Sequence, residues 1–286
     1  MIIRERPTFL DLVFALKGSI LPKIAPALVA LALISLALTV ADKLTSGLPH
    51  LPLPIFLLMG TAISLFLGFR NNAAYARWWE ARIALGTLLA NTRSFARESA
   101  VAFHAPADRH PILRRARSLH QRLRHELRGS TAPDTLPQSA NAILNAMAAE
   151  IREAKANRRI NSLGTLLLTQ RLGQITADVT ACERLSNTPM PYVYSLLVYR
   201  TVWMFCLLVP FGLLAEAGWM TPVFTCLIAY TFLGLAEVTE ELAHPFRMTE
   251  NGLPLDAIVR AAEISLAPFL NEAAPPPLTP RGYRLD

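Results

Sequence analysis

Carboxylates, imidazoles, thiols and guanidiniums are the groups in this sequence that could do chemistry, and their spacing decides which chemistry is open to them. Glu237, Glu240 and Glu241 follow directly on an apolar run. Three such carboxylates could hold a cation, but the spacing also fits one solvated helix face or partners for nearby arginines. Glu216, between two apolar runs, reads as an intramembrane acid or, more simply, as a short external turn. His104, His110, His120 and His125 lie 6, 10 and 5 residues apart. That is no metal-ligand pattern, and solvated surface histidines are expected. Cys182, Cys206 and Cys226 lack ligand spacing too, and two of them sit inside apolar runs, against a zinc site or a disulfide framework. Gly-rich phosphate loops, His-Glu-x-x-His and Gly-x-Ser-x-Gly are absent. No catalytic residue, cofactor or metal is expected, and the chain is not read as an enzyme.

Residues 93–128 hold nine arginines against Glu98, Asp108 and Glu126. A basic stretch can bind nucleic acid, but this one lacks interleaved aromatics and a recognised fold signature. Pairing with acids between subunits, or a face towards anionic lipid, is the expectation, and no nucleic-acid partner.

A different chemistry, ion permeation, needs no reactive group at all. Thr61, Leu65 and Phe69 are spaced i, i+4, i+8, so they share one helix face. Gly60, Ser64 and Gly68 repeat that spacing on an adjoining face, and small residues four apart let helices approach closely in lipid. With packing assigned to the small residues, the Thr61-Leu65-Phe69 face is left free. Rings of such side chains around an axis make a hydrophobic constriction that gates ions by dewetting, which requires several copies of the chain.

The elements that must carry these faces are apolar runs. Of 286 residues, 52% are hydrophobic and only 17% charged; the mean hydropathy is +0.34. Soluble domains carry about 25% charge. The hydrophobicity is segmental: membrane segments are expected at about 24–41, 51–69, 193–215 and 217–236. Nineteen residues from 51 to 69 make about 28 Å of helix, close to the thickness of bilayer hydrocarbon. Pro210 and Pro222 would kink or end the later pair unless neighbouring helices resatisfy the backbone. Residues 1–23 suggest an amphipathic surface helix (Phe9, Leu10, Val13, Phe14, Lys17, Leu21), and no secretory signal is expected.

The region between is basic and helical. Ile143, Met147 and Ile151, then Leu168, Leu172, Ile175, Val179 and Cys182, mark core-facing stripes, and Leu253, Ile258, Ala262 and Leu266 a last one. The net charge of +7 is concentrated outside the apolar runs. The turns at 42–50 and Glu216 carry little of it, so the positive-inside rule places both termini and the region 70–192 in the cytoplasm.

The stretch Leu67-Gly68-Phe69-Arg70-Asn71-Asn72-Ala73-Ala74-Tyr75-Ala76-Arg77-Trp78-Trp79-Glu80-Ala81-Arg82 resembles the signature of the bacterial bestrophin homologues. Lys17-Gly18-Ser19-Ile20, Cys182-Glu183-Arg184-Leu185, Thr188-Pro189-Met190-Pro191, Glu240-Glu241 and Pro245-Phe246 resemble further family segments, in order, over roughly residues 5–270. The resemblance implies an all-α, multi-pass membrane protein: one channel domain over 1–270, with cytosolic helices at about 70–192 and 237–270, then a tail at 271–286. It implies a homopentamer around a central pore, embedded among lipids of the cell (inner) membrane. The family's neck positions fall at Thr61, Leu65 and Phe69; the first is usually isoleucine, so Thr61 departs from the pattern. The cytosolic aperture falls at Leu163, and Arg77 and Trp78 match residues behind the neck, bracing a turn below it. Animal members bind calcium with acids after Pro-Phe. Here Glu250 is the one acid in residues 247–252, too few oxygens for that ion, and calcium gating is not expected.

The leading expectation is a channel for small monovalent ions, described as an anion (chloride) channel. A cation-selective channel of the same fold and a non-conducting membrane scaffold remain open, since arginines argue for anions and the glutamates for cations.

Overall fold

The computed structural model describes residues 15, 18–45, 47–280 and 283–285. Phe9, Leu10, Val13, Phe14 and Lys17 of the expected surface helix lie outside the described residues, as do residues 281, 282 and 286 of the tail. Among the described residues there are eight α-helices: α1 (Leu21–Thr45), α2 (Leu53–Ala102), α3 (His110–Arg128), α4 (Ala140–Ala156), α5 (Ser162–Asn187), α6 (Tyr192–Ala217), α7 (Thr221–Ala243) and α8 (Leu255–Leu270). Short 3-10 turns occupy Pro106–Arg109 and Gly218–Met220, and Phe103 and Ile160 form an isolated β-bridge. The described residues fall into two compact units, one drawn from residues up to 77 and 189–243, the other from 78–188 and 244 onwards. Helix α2 gives residues 53–77 to the first and 78–102 to the second.

The expected membrane segments form the first unit. Three stretches, Leu21–Thr45, Leu53–Ala102 and Tyr192–Ala243, are long and apolar enough to cross a bilayer. The third holds α6 and α7, reversed at Gly218, whose φ of 51° is open to glycine without strain. Glu216 is exposed in the last turn of α6, beside that reversal. Helix α6 runs through buried Pro210 without ending, and Pro222 sits in the first turn of α7, where a missing N–H costs nothing. The core gathers Leu31, Phe56, Ile63, Leu67, Val202, Phe205, Cys206 and Ala229. Phe205 meets Phe56 at 6.3 Å and Phe232 edge-on at 5.3 Å. Ser35 of α1 and Thr225 of α7 share a buried hydrogen bond of 3.2 Å. Leu33, Leu57, Leu58, Val223 and Leu227 are exposed. Only 22% of the most apolar stretch of α1 is buried, a surface that is unfavourable in water and at home in lipid.

In the second unit every core stripe expected from periodicity is buried: Ile143, Met147 and Ile151 on α4; Leu168, Leu172, Ile175, Val179 and Cys182 on α5; Leu253, Ile258, Ala262 and Leu266 before and along α8. Ser139 caps α4, accepting from the Ala142 N–H (3.0 Å), and Asn161 caps α5, accepting from that of Gly164 (2.7 Å). Gly129, at φ 60°, ends α3.

Two expectations fail here. The arginines of α3 do not wait for acids from another subunit. Arg124 and Arg128 both bind the Asp256 carboxylate at 2.7 Å, Arg117 binds Glu272 at 2.6 Å, Arg122 binds Glu126 at 2.9 Å, and Arg115 pairs with Glu150. Three of those four acids, Glu150, Asp256 and Glu272, come from distant sequence, so no local count reveals the pairing. Burial tends to raise the Asp256 pKa, but the hydrogen bonds and charges of Arg128 and Arg124 outweigh it and hold the carboxyl below its usual range.

His120 is not a solvated histidine either. It is buried between α3 and α2, with Nε2 at 2.9 Å from Thr92 Oγ1. The Thr92 hydroxyl also donates to the Leu88 carbonyl at 2.8 Å, so the imidazole proton belongs on Nε2. Burial pushes this histidine from 6.5 down to about 4. Below pH 6.5 the unfolded chain therefore binds a proton that the folded one refuses. Stability is full above pH 6.5 and falls as pH drops towards 4. Taking purified protein from pH 7.5 to 5 should cost about 2 kcal/mol from this residue. A His120→Gln variant should lose that part of the pH dependence; an unchanged melting profile would remove His120 as its source.

Candidate permeation face

Helix α2 runs on because no proline follows Pro54 before Ala102 and its glycines are isolated. The polar stretch from Arg70 onwards does not end it, so the turn expected below the neck, with Arg77 and Trp78 bracing it, does not exist: the helix continues for 32 residues past Arg70. Its faces can be read at 100° per residue. Phe56, Ile63, Leu67, Arg70 and Ala74 are buried and lie on one side. Leu65 is two residues from both Ile63 and Leu67, a little over half a turn away. Thr61, Leu65 and Phe69 thus occupy the side opposite the packed stripe. All three are exposed, Leu65 at 57% and Phe69 at 58%. Thr61 Oγ1 donates to the Leu57 carbonyl at 2.8 Å, which uses its proton on the helix and leaves its lone pairs outward.

The small residues divide. A row of i+4 positions drifts about 40° per step. Gly60, at the edge of the packed side, lies against Phe205, whose Cζ would be 3.3 Å from an added Cβ. Ser64 is exposed and donates to the Gly60 carbonyl at 2.8 Å. Gly68 has no atom of this chain within 4 Å of where a Cβ would stand. A tighter glycine contact lies elsewhere in this unit: a Cβ on Gly212 would meet the Phe56 ring at 2.4 Å. Periodicity in α2 alone could not show a contact whose glycine sits on α6.

Arg77 Nε donates to the carbonyl of Ala243 at 2.9 Å, satisfying the last turn of α7. Trp78 Nε1 donates to the Asn251 carbonyl at 2.8 Å, and its ring stacks on Trp79 at 6.4 Å. Leu163, in the second unit, is 73% exposed in the first turn of α5. Its neighbour Gly164 is pressed against Ala102, leaving Leu163 outside. The structure therefore groups Thr61, Leu65 and Phe69 on one helix face of the first unit and sets Leu163 in the second.

A charged cluster stands at the end of the first unit, where the glutamates take one of the two readings their spacing left open, partners for a nearby arginine. Arg70 is 4% exposed and donates to Glu240 at 2.7 Å and to Ser195 at 3.0 Å. Lys23 pairs with Glu241, itself buried, and with Glu237 at 3.6 Å. The glutamates are thus partners for basic residues and not an exposed acidic face. Two apolar runs ending on opposite charges were the available signal. The loop after Pro245-Phe246 offers little to calcium: Glu250 stands 3.9 Å from Arg284, and one paired carboxylate does not fit that ion. Among the described residues no group of three His, Cys, Asp or Glu side chains is placed to hold a metal.

A sequence profile described as bacterial/fungal bestrophin protein matches residues 1–268. The chain belongs to the bacterial and fungal bestrophin family. Among its relatives, a voltage-dependent anion channel-forming protein of Mesorhizobium japonicum is 40% identical over 294 residues, covering 96% of this chain and 94% of that one. The Escherichia coli K12 voltage-dependent anion channel-forming protein YneE is 35% identical over 303 residues, covering all of both chains. The crystal structure of a bacterial bestrophin homologue from Klebsiella pneumoniae superposes with a TM-score of 0.81 at 30% identity, covering 87% of this chain and 99% of that one.

Proposed function

We propose that this bestrophin forms a homopentameric channel for small monovalent anions, with Thr61, Leu65 and Phe69 of five subunits ringing a hydrophobic neck. The observation that carries the reading is the split of α2. One side packs into its own chain, while the opposite side holds two large apolar residues and a threonine that are all exposed among the described residues. Apolar rings of this kind control ion flow by dewetting. In the same reading α1, residues 53–69 of α2, α6 and α7 are four membrane crossings of the inner membrane, and both termini are cytoplasmic. Residues 1–270 act as one channel domain, Leu163 forms a second ring at the cytosolic exit, Arg77 and Trp78 support the neck, and Gly60, Ser64 and Gly68 serve close helix packing. Calcium plays no part in gating.

The sign of the ion follows the named activity of the relatives. The chain's own charges do not decide it. The α3 arginines that argued for anions are tied to acids, and Glu237, Glu240 and Glu241, which argued for cations, are tied to Lys23 and Arg70. With those arginines paired, nucleic acid is not a partner in this reading. Purified protein in planar bilayers is expected to give discrete currents, with a reversal potential in asymmetric KCl near the chloride equilibrium value. Reversal near the potassium value would establish the cation channel instead. Absence of current in any gradient would leave the scaffold.

A further inference from the structure

Arg200 is the ninth residue of α6, inside the segment expected to cross the membrane at about 193–215, and it is exposed. The packed side of α6 carries Val198, Val202, Phe205 and Val209. Arg200 lies on the opposite side, among Val193, Leu197, Met204 and Leu207, which are 40–74% exposed. Among the described residues nothing accepts its N–H groups or pairs with its charge. An arginine stays charged, and a charge at membrane depth is costly unless something answers it.

Its depth limits what can answer it. Ser195 accepts from Arg70 Nη2 at 3.0 Å, and Arg70 closes the charge-free run 51–69. Ser195 therefore stands at the polar edge of the membrane segment, and Arg200, five residues further on, lies about 7.5 Å deeper along the helix. Side chains lean towards the start of their helix, which for α6 is that edge. The stem of Arg200 can thus lie along apolar surface and return the guanidinium to headgroup level. Tyr192 and Tyr199, 75% and 58% exposed, mark that level as interfacial aromatic residues do.

The alternative answer is a carboxylate from a second copy. Copies related by an axis along the bilayer normal keep each residue at one depth. The described acids of the first unit are Asp42, Glu216, Glu237, Glu240 and Glu241. Asp42 bonds His50 at 2.9 Å, and the three glutamates of α7 hold Lys23 and Arg70. Glu216 lies 16 residues beyond Arg200 on α6, about 24 Å away along the helix. None of them is both unpaired and at the depth of Arg200, whereas a lipid phosphate is. Beside the arginine, Leu197 and Thr201 join Met59, Ile63 and Phe66 of α2 around an apolar cavity of about 240 Å³. The Thr201 hydroxyl donates to the Leu197 carbonyl at 2.8 Å, so its proton is already used and the space suits hydrocarbon.

We propose that Arg200 and this cavity hold an anionic phospholipid from the leaflet on the Arg70 side. Its phosphate diester accepts from the guanidinium, and one acyl chain lies between α2 and α6. A zwitterionic headgroup would bring an ammonium as well, for which this unit has no unpaired carboxylate at that level among the described residues. The inference rests on the first unit lying in a bilayer; it does not need the protein to conduct.

The test is native mass spectrometry of the delipidated full-length protein offered equimolar phosphatidylglycerol and phosphatidylcholine. Wild type should retain phosphatidylglycerol in preference. Arg200→Gln should lower that retention about ten-fold, the weight of a charge-assisted hydrogen bond, and erase the preference. Arg200→Lys, which keeps the charge, should keep most of it. Ala62→Phe, which fills the cavity from α2, should lower retention of both lipids. Arg152→Gln, at an exposed arginine of the second unit, should change nothing. Equal retention of the two lipids by wild type, an unchanged preference in Arg200→Gln, or wild-type retention by Ala62→Phe would overturn the proposal. So would loss of subunit association in Arg200→Gln with lipid retention intact, which assigns the residue to a contact between copies. A chain that stays dispersed in buffer without detergent would overturn the bilayer reading itself, and the proposal with it.

Discussion

Leu65→Ala is expected to raise single-channel conductance several-fold. Among the described residues the side chain lies outside the buried core cluster and is 57% exposed. Alanine is at least as good a helix former as leucine, so α2 should be undisturbed. In the proposed pentamer the change falls on the neck: three carbons would vanish from each of five subunits, the ring would widen, and water would remain in it more of the time. Lowering the barrier by about 1.4 kcal/mol multiplies the crossing rate about ten-fold. Leu33→Ala, an equally exposed leucine on α1, serves as the control and should leave the current unchanged. The ion preference should not change, because no charge is added or removed. A wild-type current through Leu65→Ala would place the permeation path on another face and would sink the neck assignment while leaving the family membership intact.

Much of the fold was legible because it is written in local periodicity. The stripes on α4, α5 and α8 could be read residue by residue, since burial of one helix face forces apolar residues to recur at three and four. The apolar runs were equally plain. What could not be read is what crosses the sequence. The change of composition at Arg70 marked the end of a membrane segment, with a turn expected below it, yet no proline or glycine cluster follows, and α2 goes on to Ala102. Arg70 is polar there because Ser195 and Glu240, more than a hundred residues away, receive it. The same distance hid the Asp256 clasp on Arg124 and Arg128, and made His120 look like one more surface imidazole among arginines.

The candidate site divides along the same line. That Thr61, Leu65 and Phe69 share a face needed only their spacing, and the structure adds that this face lies opposite the packed one. That such a face could form a constriction came from its residue types, while its place as the family's neck, like Leu163, came from resemblance. The meeting of four helices around Arg70 could not have come from spacing, because each brings its side chain from a distant part of the sequence. Gly212 against Phe56 is similar: a glycine in an apolar run is unremarkable until the ring it admits is seen on another helix.

The other large effect expected is on stability, from Gly252→Ala. Gly252 is buried in the link between α7 and α8, and a Cβ there would lie 2.0 Å from the Arg247 carbonyl oxygen and 3.2 Å from that of Thr249. The first obstacle is backbone, so no side-chain rotation relieves it. The link has little room to move. The Leu253 N–H donates to the Pro245 carbonyl at 2.7 Å, and that of Gly252 to Thr249 at 3.1 Å. Trp78 holds the adjacent Asn251 carbonyl at 2.8 Å. Making space for one methyl group therefore breaks several of these bonds together. The expected cost is about 3 kcal/mol or more, in the range of the larger single-residue effects. For a chain of this size that corresponds to a fall of about 6–12 °C in melting temperature. Trp78→Phe is the comparison, since it deletes the indole donor and keeps an aromatic ring. It should cost about 1 kcal/mol, the net worth of one hydrogen bond. Circular dichroism melts of the purified proteins read both. If Gly252→Ala melts with wild type while Trp78→Phe is destabilised, the link has a conformation other than the one described, and the contact between Arg247 and Gly252 is the part to discard.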